Sequence, residues 1–141
     1  MILESGEVGI THIDSNGHAN VSFYTEAFDK ATFKIQNLLG IPHGSSEIER
    51  MTFFASRMLV SYKSELFLGA KWEIDTYIYF VTDERIGFFH KLISENKSIS
   101  NCFMLCFAIS LPNRNISKIS NIVLENSKKY LISGIRNPFQ G

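Results

Sequence analysis

A short polar turn near the N-terminus holds the side chains of this 141-residue sequence that are best suited to chemistry. It runs from Asp14 to Asn20 and contains Asn16 and His18, and a helix-like apolar pattern begins directly after it. The N-terminus of a helix leaves main-chain N–H groups unpaired and carries a partial positive charge, so it can hold a developing oxyanion. A neighbouring carboxylate can attack a carbonyl carbon or act as general base on water. The parts needed for acyl transfer are therefore present.

The same residues also suit an ordinary turn. Asp, Asn and Gly are the usual turn residues, and Asn20 can cap the following helix without any part in catalysis. His18 taken singly is more often a hydrogen-bonded structural residue than a catalyst, and this holds more strongly for His90, which lies in an apolar strand-like segment. Composition alone leaves the structural and the catalytic interpretations open.

The segment after the turn has the clearest periodicity in the chain. Apolar residues recur every three or four positions over 24–39, which predicts one helix of about five turns with a broad apolar stripe. Asn20 or Ser22 can cap its start, while Gly40 and Pro42 are typical of its end. Such a helix needs a large apolar surface to lie on.

Strand-like segments make up most of the remainder. Residues 7–13 predict a short first strand, and 42–56 predict a loop that could include a short helix. After Arg57 the apolar period changes from 3.6 to 2, and four strands with short connections follow up to residue 111, which predicts an antiparallel meander. Periodicity alone therefore gives an α+β sandwich of a helix on an antiparallel sheet.

One helix cannot cover both faces of such a sheet, so a dimer or the C-terminal segment must cover the rest. Ser120 can cap a second helix over 122–132. We therefore expect one domain over 1–112, followed by a C-terminal extension over 113–141 that contains this helix.

The composition excludes several classes of function. Fourteen acidic and fourteen basic residues cancel, and no basic stripe indicates a nucleic-acid partner. No signal or membrane-spanning segment is evident, so we expect a cytoplasmic protein with no membrane partner. Cys102 and Cys106 are expected to be buried, reduced thiols. His12 and His18 have no supporting carboxylate beyond Asp14, and no Gly-rich phosphate loop is present, so we expect neither a metal nor a cofactor.

The turn and helix together resemble the acyl-CoA thioesterases of the hotdog superfamily, in the 4-hydroxybenzoyl-CoA thioesterase-like group. Within it the sequence looks most like the thioesterases that accompany carnitine and betaine catabolism. The resemblance covers roughly residues 7–111. It is carried by Ile13–Asn20, Tyr24, Phe28–Thr32, Asp83–Ile86 and Phe89–Leu92. It implies an α+β hotdog fold, in which an antiparallel sheet of about five strands wraps a long central helix.

The resemblance also implies a function. Asp14 would be the catalytic carboxylate of a thioesterase that hydrolyses a small or medium acyl-CoA, with Asn16 and His18 orienting water or the carboxylate. The enzyme would be a homodimer or a dimer of dimers, with its active sites at the dimer interface. Nucleophilic attack by Asp14 and general-base catalysis both remain open, and a thiolate leaving group requires no strong general acid.

The substrate-binding residues follow in the same way. The resemblance places the oxyanion donor at the main-chain N–H of about Val21, next to Asn20 in the first helical turn, and Tyr24 is a candidate for the acyl pocket. CoA phosphates need cations at the mouth of the pocket. The candidates are Arg57, Lys63, Arg85 and Lys91.

Other chemistries are compatible with the same architecture. A hotdog protein could bind an acyl-CoA or a small acyl ligand without hydrolysing it, although the intact Asp14 argues against this alternative. A hotdog dehydratase needs a catalytic His with an acidic partner on the helix, and Glu26 lies on the wrong face of the apolar stripe for a simple match.

Overall fold

The computed structural model describes residues 1–41 and 50–139 of the chain. One antiparallel sheet of five strands, in the order β1-β3-β4-β5-β2, is packed against a long helix on one face, which agrees with the predicted α+β class. The elements in chain order are β1 (Ile2–Glu7), a 3-10 turn (Ile10–His12), α1 (Val21–Leu39), β2 (Met51–Tyr62), β3 (Lys71–Val81), β4 (Arg85–Ser94), β5 (Lys97–Ser110) and α2 (Asn121–Ser127).

Helix α1 forms where its periodicity predicts it. Asn20 is the cap, because its side-chain oxygen accepts from the Phe23 N–H at 3.0 Å. The Ser22 hydroxyl supports this cap by donating to the same oxygen at 2.9 Å. Gly40 ends the helix with a φ of 100°, in the left-handed region that glycine adopts most readily, while Pro42 falls outside the described residues. The buried stripe comprises Phe23, Tyr24, Ala27, Phe28, Ala31, Thr32, Ile35 and Leu39.

The prediction of a first strand over 7–13 is wrong. Strand β1 lies earlier, over Ile2–Glu7, and Ile10–His12 form a 3-10 turn. This edge strand has no regular apolar alternation, and its place is set by main-chain pairing with β3. Gly6 also helps to set the position of β1. The Trp72 indole lies across this residue, and a Cβ on it would be 2.9 Å from the indole ring.

Strand β2 begins at Met51 rather than after Arg57, so the predicted loop over 42–56 is wrong for its described part. The reason is a register shift between Ala55 and Arg57. A bulge adds one residue and reverses the alternation of faces. Phe53 and Met58 consequently face the same side of the sheet, and the period-2 pattern is interrupted between them. The short helix that 42–56 could include is not formed by residues 51–56, which belong to β2, and residues 42–49 lie outside the described part of the chain.

The predicted meander holds only for β3, β4 and β5. Strand β2 pairs with β5 instead of β3, and β1 takes the place beside β3. The connection between β2 and β3 therefore crosses to the other side of the sheet. Main-chain hydrogen bonds hold it there, among them Ala19 N–H to Leu66 O at 2.8 Å, Val8 N–H to Ala70 O at 2.9 Å and Gly69 N–H to Val8 O at 2.9 Å.

The C-terminal segment forms a shorter helix than predicted. Helix α2 ends at Ser127, and 130–132 run as an extended segment whose main chain bonds both the N–H and the C=O of Ile78, each at 2.9 Å. The Asn126 amide donates to Leu39 O at 3.0 Å and so fixes α2 to the end of α1. The extension is thus bonded to both the helix and the sheet, and its separation from a 1–112 domain stays a prediction.

The core contains the histidine of β4, for which the sequence predicts a structural role. His90 is fully buried, with Nε2 2.7 Å from the Thr32 hydroxyl and Nδ1 2.8 Å from the Thr76 hydroxyl. Cys102 and Cys106 are free and buried, as predicted, and burial raises the pKa of each thiol to about 12.

Candidate active site at the start of the central helix

The polar turn is a tight reversal of the chain. An isolated β-bridge joins Ile13 to Ala19, and the Asp14 N–H donates to His18 O at 3.1 Å. Gly17 has a φ of 83° and donates to Asp14 O at 3.0 Å. One carboxylate oxygen of Asp14 accepts from the main-chain N–H of Asn16 at 2.9 Å, which is an Asx turn. The second carboxylate oxygen is therefore directed away from the turn's own main chain.

Charged groups surround the imidazole of His18. Its Nδ1 is 3.6 Å from Asp14 Oδ2, and its Nε2 is 3.7 Å from Glu65 Oε1. Both separations exceed ordinary hydrogen-bond lengths, so neither carboxylate is hydrogen-bonded to the ring. The side chains of Asp14 and His18 remain 32% and 29% exposed. The Asp14 carboxylate is thus held by the turn and still open to water.

The turn leads directly into the N-terminus of α1. Asn20 fixes the junction, because its N–H donates to His12 O at 2.9 Å and its side-chain oxygen accepts from the Phe23 N–H. The Val21 N–H belongs to the first helical turn, where main-chain donors have no intrahelical acceptor. The Val21 side chain is 66% exposed, so this end of the helix is accessible. A carboxylate and a helix N-terminus therefore lie at the two ends of one short turn.

Tyr24 lies beneath the turn. It is 4% exposed, and its ring meets that of Tyr62 edge-on at 5.1 Å between centroids. Burial raises the pKa of the Tyr24 phenol, and a hydrogen bond with the Leu66 main chain acts in the opposite direction. Within the single chain Tyr24 is a packing residue under the site.

Lys63 is a predicted CoA contact whose ammonium lies at the same end and on the same face of the sheet as Lys91, the register partner of Asn101. It directly follows β2, and its own N–H donates to Ile99 O at 2.8 Å. Its ammonium lies 3.1 Å from the Asn101 side-chain oxygen, in the amide orientation that satisfies both groups. Glu65, which contacts His18, is two residues further along the chain.

The other three cations lie on the sheet face opposite α1, as the Lys63 ammonium does. Arg57 and Arg85 lie over aromatic rings, those of Phe139 and Phe80 respectively, each at 5.5 Å from the ring centroid. The register of β4 and β5 places Arg85 and Lys91 on the sheet face opposite α1, and Arg57 alternates onto that face as well. Residue type alone suggested these positions, and their strand register separates them from Asp14.

A groove of about 1010 Å³ runs along α1 beside β2. It begins near Ser22, in the first turn of the helix, and reaches Gln36. Its wall on the sheet side is largely apolar and includes Phe53, Phe54, Met58 and Met104. The groove therefore connects the accessible end of α1 with an apolar surface.

Two sets of contacts at the site have no local signal in the sequence. Glu65 and Leu66 reach the turn only because the β2–β3 connection crosses the sheet. His12 and Glu26 form a close pair, with Nε2 2.7 Å from Oε2, although Glu26 lies off the apolar stripe as expected. Both contacts depend on the tertiary fold and not on spacing.

Over 1–41 and 50–139, no three His, Cys, Asp or Glu side chains are grouped closely enough to hold a metal ion. No helix in the described part of the chain is long and apolar enough to cross a membrane.

Known structures share this architecture. A predicted thioesterase from Bacillus stearothermophilus is 12% identical with a TM-score of 0.81, over 93% of this chain and 96% of that one. A hypothetical Staphylococcus aureus protein, solved in complex with CoA, is 21% identical with a TM-score of 0.78, over 99% and 90% of the two chains. A gentisyl-coenzyme A thioesterase is 17% identical with a TM-score of 0.74, over 88% and 98%. Among curated proteins none matches the sequence significantly.

A sequence model of the Thioesterase-like superfamily matches residues 8–126, which is most of the chain. The protein therefore belongs to that superfamily. The predicted hotdog fold, a central helix packed on an antiparallel sheet, is confirmed. The narrower resemblance to carnitine- and betaine-associated thioesterases stays a prediction.

Proposed function

We propose that the protein is an acyl-CoA thioesterase that hydrolyses the thioester bond of a small or medium acyl-CoA. The observation that carries this proposal is the Asp14 carboxylate, one-third exposed, in a turn that opens directly on the N-terminus of α1. The chain's family is thioesterase-like, and structurally similar proteins include one bound to CoA and one gentisyl-coenzyme A thioesterase. These likenesses favour a CoA ester over other carbonyl substrates.

In this proposal the thioester carbonyl oxygen lies against the helix N-terminus and accepts from the Val21 N–H. Asp14 either attacks the carbonyl carbon, forming an acyl-enzyme that water then cleaves, or takes a proton from the water that attacks. The tetrahedral oxyanion is stabilised by the first helical turn. The C–S bond then breaks, its electron pair leaves with the CoA sulfur, and the products are a carboxylic acid and the CoA thiol.

The remaining turn residues orient these groups. His18 lies between Asp14 and Glu65 and can hold the attacking water or the carboxylate in place. Asn16 fixes one Asp14 oxygen through its main-chain N–H, so the other oxygen is left for the reaction. Tyr24 supports the turn from below.

The groove beside β2 is the proposed acyl site. Its apolar wall suits a hydrocarbon or aromatic acyl group, and it begins within a turn of the Val21 N–H. The resemblance to carnitine- and betaine-associated enzymes adds a quaternary-ammonium acyl group to the candidates. Lys63, two residues before Glu65 in the chain, is the cation that we propose for a CoA phosphate.

We further propose a cytoplasmic homodimer, or a dimer of dimers, that completes the groove. Strand β2 is an edge of the sheet in the described chain, and it exposes Phe54, Met58 and Leu59 at 61%, 44% and 45%. An exposed apolar edge strand invites pairing with another strand. Phe33 of α1, 65% exposed, lines the same groove. Sedimentation velocity should show a dimer or tetramer, and a monomer at micromolar concentration would contradict this part of the proposal.

The activity is tested by thiol release from short-chain, aromatic, long-chain and betainyl acyl-CoAs. We expect turnover of at least one class by the wild type and its loss in Asp14→Asn. No turnover of any member, with tight binding of the CoA esters retained, would instead favour the non-hydrolytic acyl-CoA-binding protein. Incorporation of oxygen from labelled water into Asp14 would distinguish the covalent route from general-base catalysis.

A further inference from the structure

We propose that His12 and Glu26 form a clasp that holds the Asp14–Asn20 turn in register with the N-terminus of α1. The two side chains are thus positioning residues for Asp14, and this role rests on the function proposed above. Glu26 lines the polar side of the groove, His12 does not line it, and the clasp acts on Asp14 through the main chain of the turn.

The clasp is a short side-chain contact between two parts of the chain. His12 Nε2 lies 2.7 Å from Glu26 Oε2, within hydrogen-bond length. A neutral imidazole with its proton on Nε2 donates to the carboxylate and leaves Nδ1 beside the Thr11 hydroxyl, 3.4 Å away. The hydrogen bond from His12 is the largest cause that lowers the pKa of Glu26, ahead of the contacts with Lys30. Glu26 therefore stays ionised and able to accept.

Three contacts attach His12 to helix α1. Its main-chain oxygen accepts from the N–H of the cap residue Asn20 at 2.9 Å. Its ring meets the Phe23 ring edge-on, with 5.6 Å between centroids. Its side chain reaches Glu26, in the second turn. One residue, two positions before Asp14, is thus fixed to the cap, the first turn and the second turn of α1.

The first half of the turn, before His18, has few contacts that could replace this attachment. The turn is closed by the Ile13–Ala19 bridge and by hydrogen bonds within it, the β2–β3 connection holds its second half through the Ala19 N–H and the His18–Phe67 bridge, and residues 15–17 are exposed. The contact between Asp14 and His18 is 3.6 Å long. A small rotation at the base of the turn would therefore move Asp14 relative to the Val21 N–H. Displacement of a reacting group by about 1 Å can lower a rate by about 100-fold.

The test compares His12→Ala, Glu26→Ala and the double variant with the wild type. Lys30→Ala is the matched control for the exchange readout, because Lys30 Nζ is the other partner of the same carboxylate, at 3.2 Å from Oε1. For kcat the control is Lys128→Ala, which removes an exposed ion pair with Glu125 outside the groove. Glu26→Gln is the rescue variant, since its amide oxygen can still accept from His12. Two readouts are taken on each protein: hydrogen exchange of the peptide covering the turn, and kcat with KM for the best acyl-CoA.

We expect each single alanine variant to speed exchange in the turn about tenfold and to lower kcat about tenfold, with KM changed less than about twofold. The double variant should be no worse than either single one, because both remove the same contact. Lys30→Ala should match the wild type in exchange of the turn, Lys128→Ala should match it in kcat, and Glu26→Gln should recover most of kcat. If an alanine variant fails to fold, as thermal unfolding would reveal, His12→Phe takes its place, because it keeps a ring beside Phe23 and removes the donor to Glu26.

Unchanged exchange and kcat in both single variants would overturn the clasp, and so would equally fast exchange in Lys30→Ala or an equal loss of kcat in Lys128→Ala. Losses that add in the double variant would also overturn it. Failure of the proposed function is a separate result, in which the wild type releases thiol from no acyl-CoA. In that case the exchange readout alone decides whether the clasp holds the turn.

Discussion

The buried histidine of β4 leads to a quantitative prediction for the pH dependence of stability. His90 is fully buried between the hydroxyls of Thr32 and Thr76, and the rings of Phe28 and Phe88 stack near it. Burial lowers the pKa of His90 from 6.5 to about 3 in the folded protein. The unfolded chain therefore binds a proton near pH 6.5 that the folded chain does not bind until about pH 3.

The sign of the effect follows from this difference. The unfolded state binds more protons between pH 6.5 and 3, so the free energy of unfolding falls as the pH is lowered through this range. Stability from the neutral His90 is complete above pH 6.5 and declines by about 1.4 kcal/mol per pH unit below it. At pH 5 the loss should be about 2 kcal/mol, before most carboxylates begin to titrate.

The assay is urea unfolding of the wild type and of His90→Gln at pH 7.5, 6 and 5. The glutamine variant has no titrating ring, so its free energy of unfolding should lack this pH-dependent loss, whatever its stability at pH 7.5. For each protein the free energy of unfolding is plotted against pH, and the quantity of interest is the difference in slope between the wild type and His90→Gln. Parallel slopes, or a flat wild-type profile, would refute the conclusion that the folded state keeps His90 neutral.

Three further predictions concern packing and the helix start. Gly87→Ala should lower the free energy of unfolding by about 1–3 kcal/mol, because its Cβ would lie 2.5 Å from the Tyr79 ring; an unchanged urea midpoint would refute this contact. Burial raises the thiol pKa of Cys102 and Cys106 to about 12, so both should react with a thiol reagent only as fast as the protein unfolds. Rapid labelling of the folded protein would contradict their burial. Asn20→Ala should lose about 1 kcal/mol of stability and also kcat, since it removes the helix cap at the site; full activity would argue against a role for this helix end.

The parts of the fold that local sequence determines could be predicted. The length and ends of α1 follow from its apolar period, the capping preference of Asn20 and the left-handed conformation of Gly40. His90 and the two cysteines were correctly assigned to the interior because they lie among apolar strand residues. Each of these inferences depends on a few neighbouring residues only.

Features set by distant pairing could not be predicted. The bulge at Ala55–Arg57 is defined by its partner strand β5, and it conceals the first half of β2 from a period-2 search. The position of β1 depends on main-chain bonds to β3, which carry no side-chain pattern. The crossing from β2 to β3 also breaks the expectation that consecutive strands pair.

The candidate site also contains some residues that local sequence predicts and others that only the tertiary fold brings together. Asp14, Asn16 and His18 are sequence neighbours, so their residue types alone mark the turn as a place for chemistry. Glu65 joins them through the crossing connection, and Glu26 joins through its contact with His12, so neither could be inferred from spacing. The cations proposed for CoA were chosen by charge, and strand register places most of them on the opposite face of the sheet.

The central claim is that the Asp14 carboxylate carries out thioester hydrolysis. The most direct measurement is kcat for thiol release by Asp14→Asn, with Asp83→Asn as the matched control at an exposed carboxylate away from the turn. The asparagine at position 14 can still accept from the Asn16 N–H, so the turn is retained while the reactive oxygen is lost. We predict a fall in kcat of about 10²- to 10⁴-fold for Asp14→Asn and less than about twofold for the control. Wild-type activity in Asp14→Asn would contradict both the nucleophilic and the general-base mechanism.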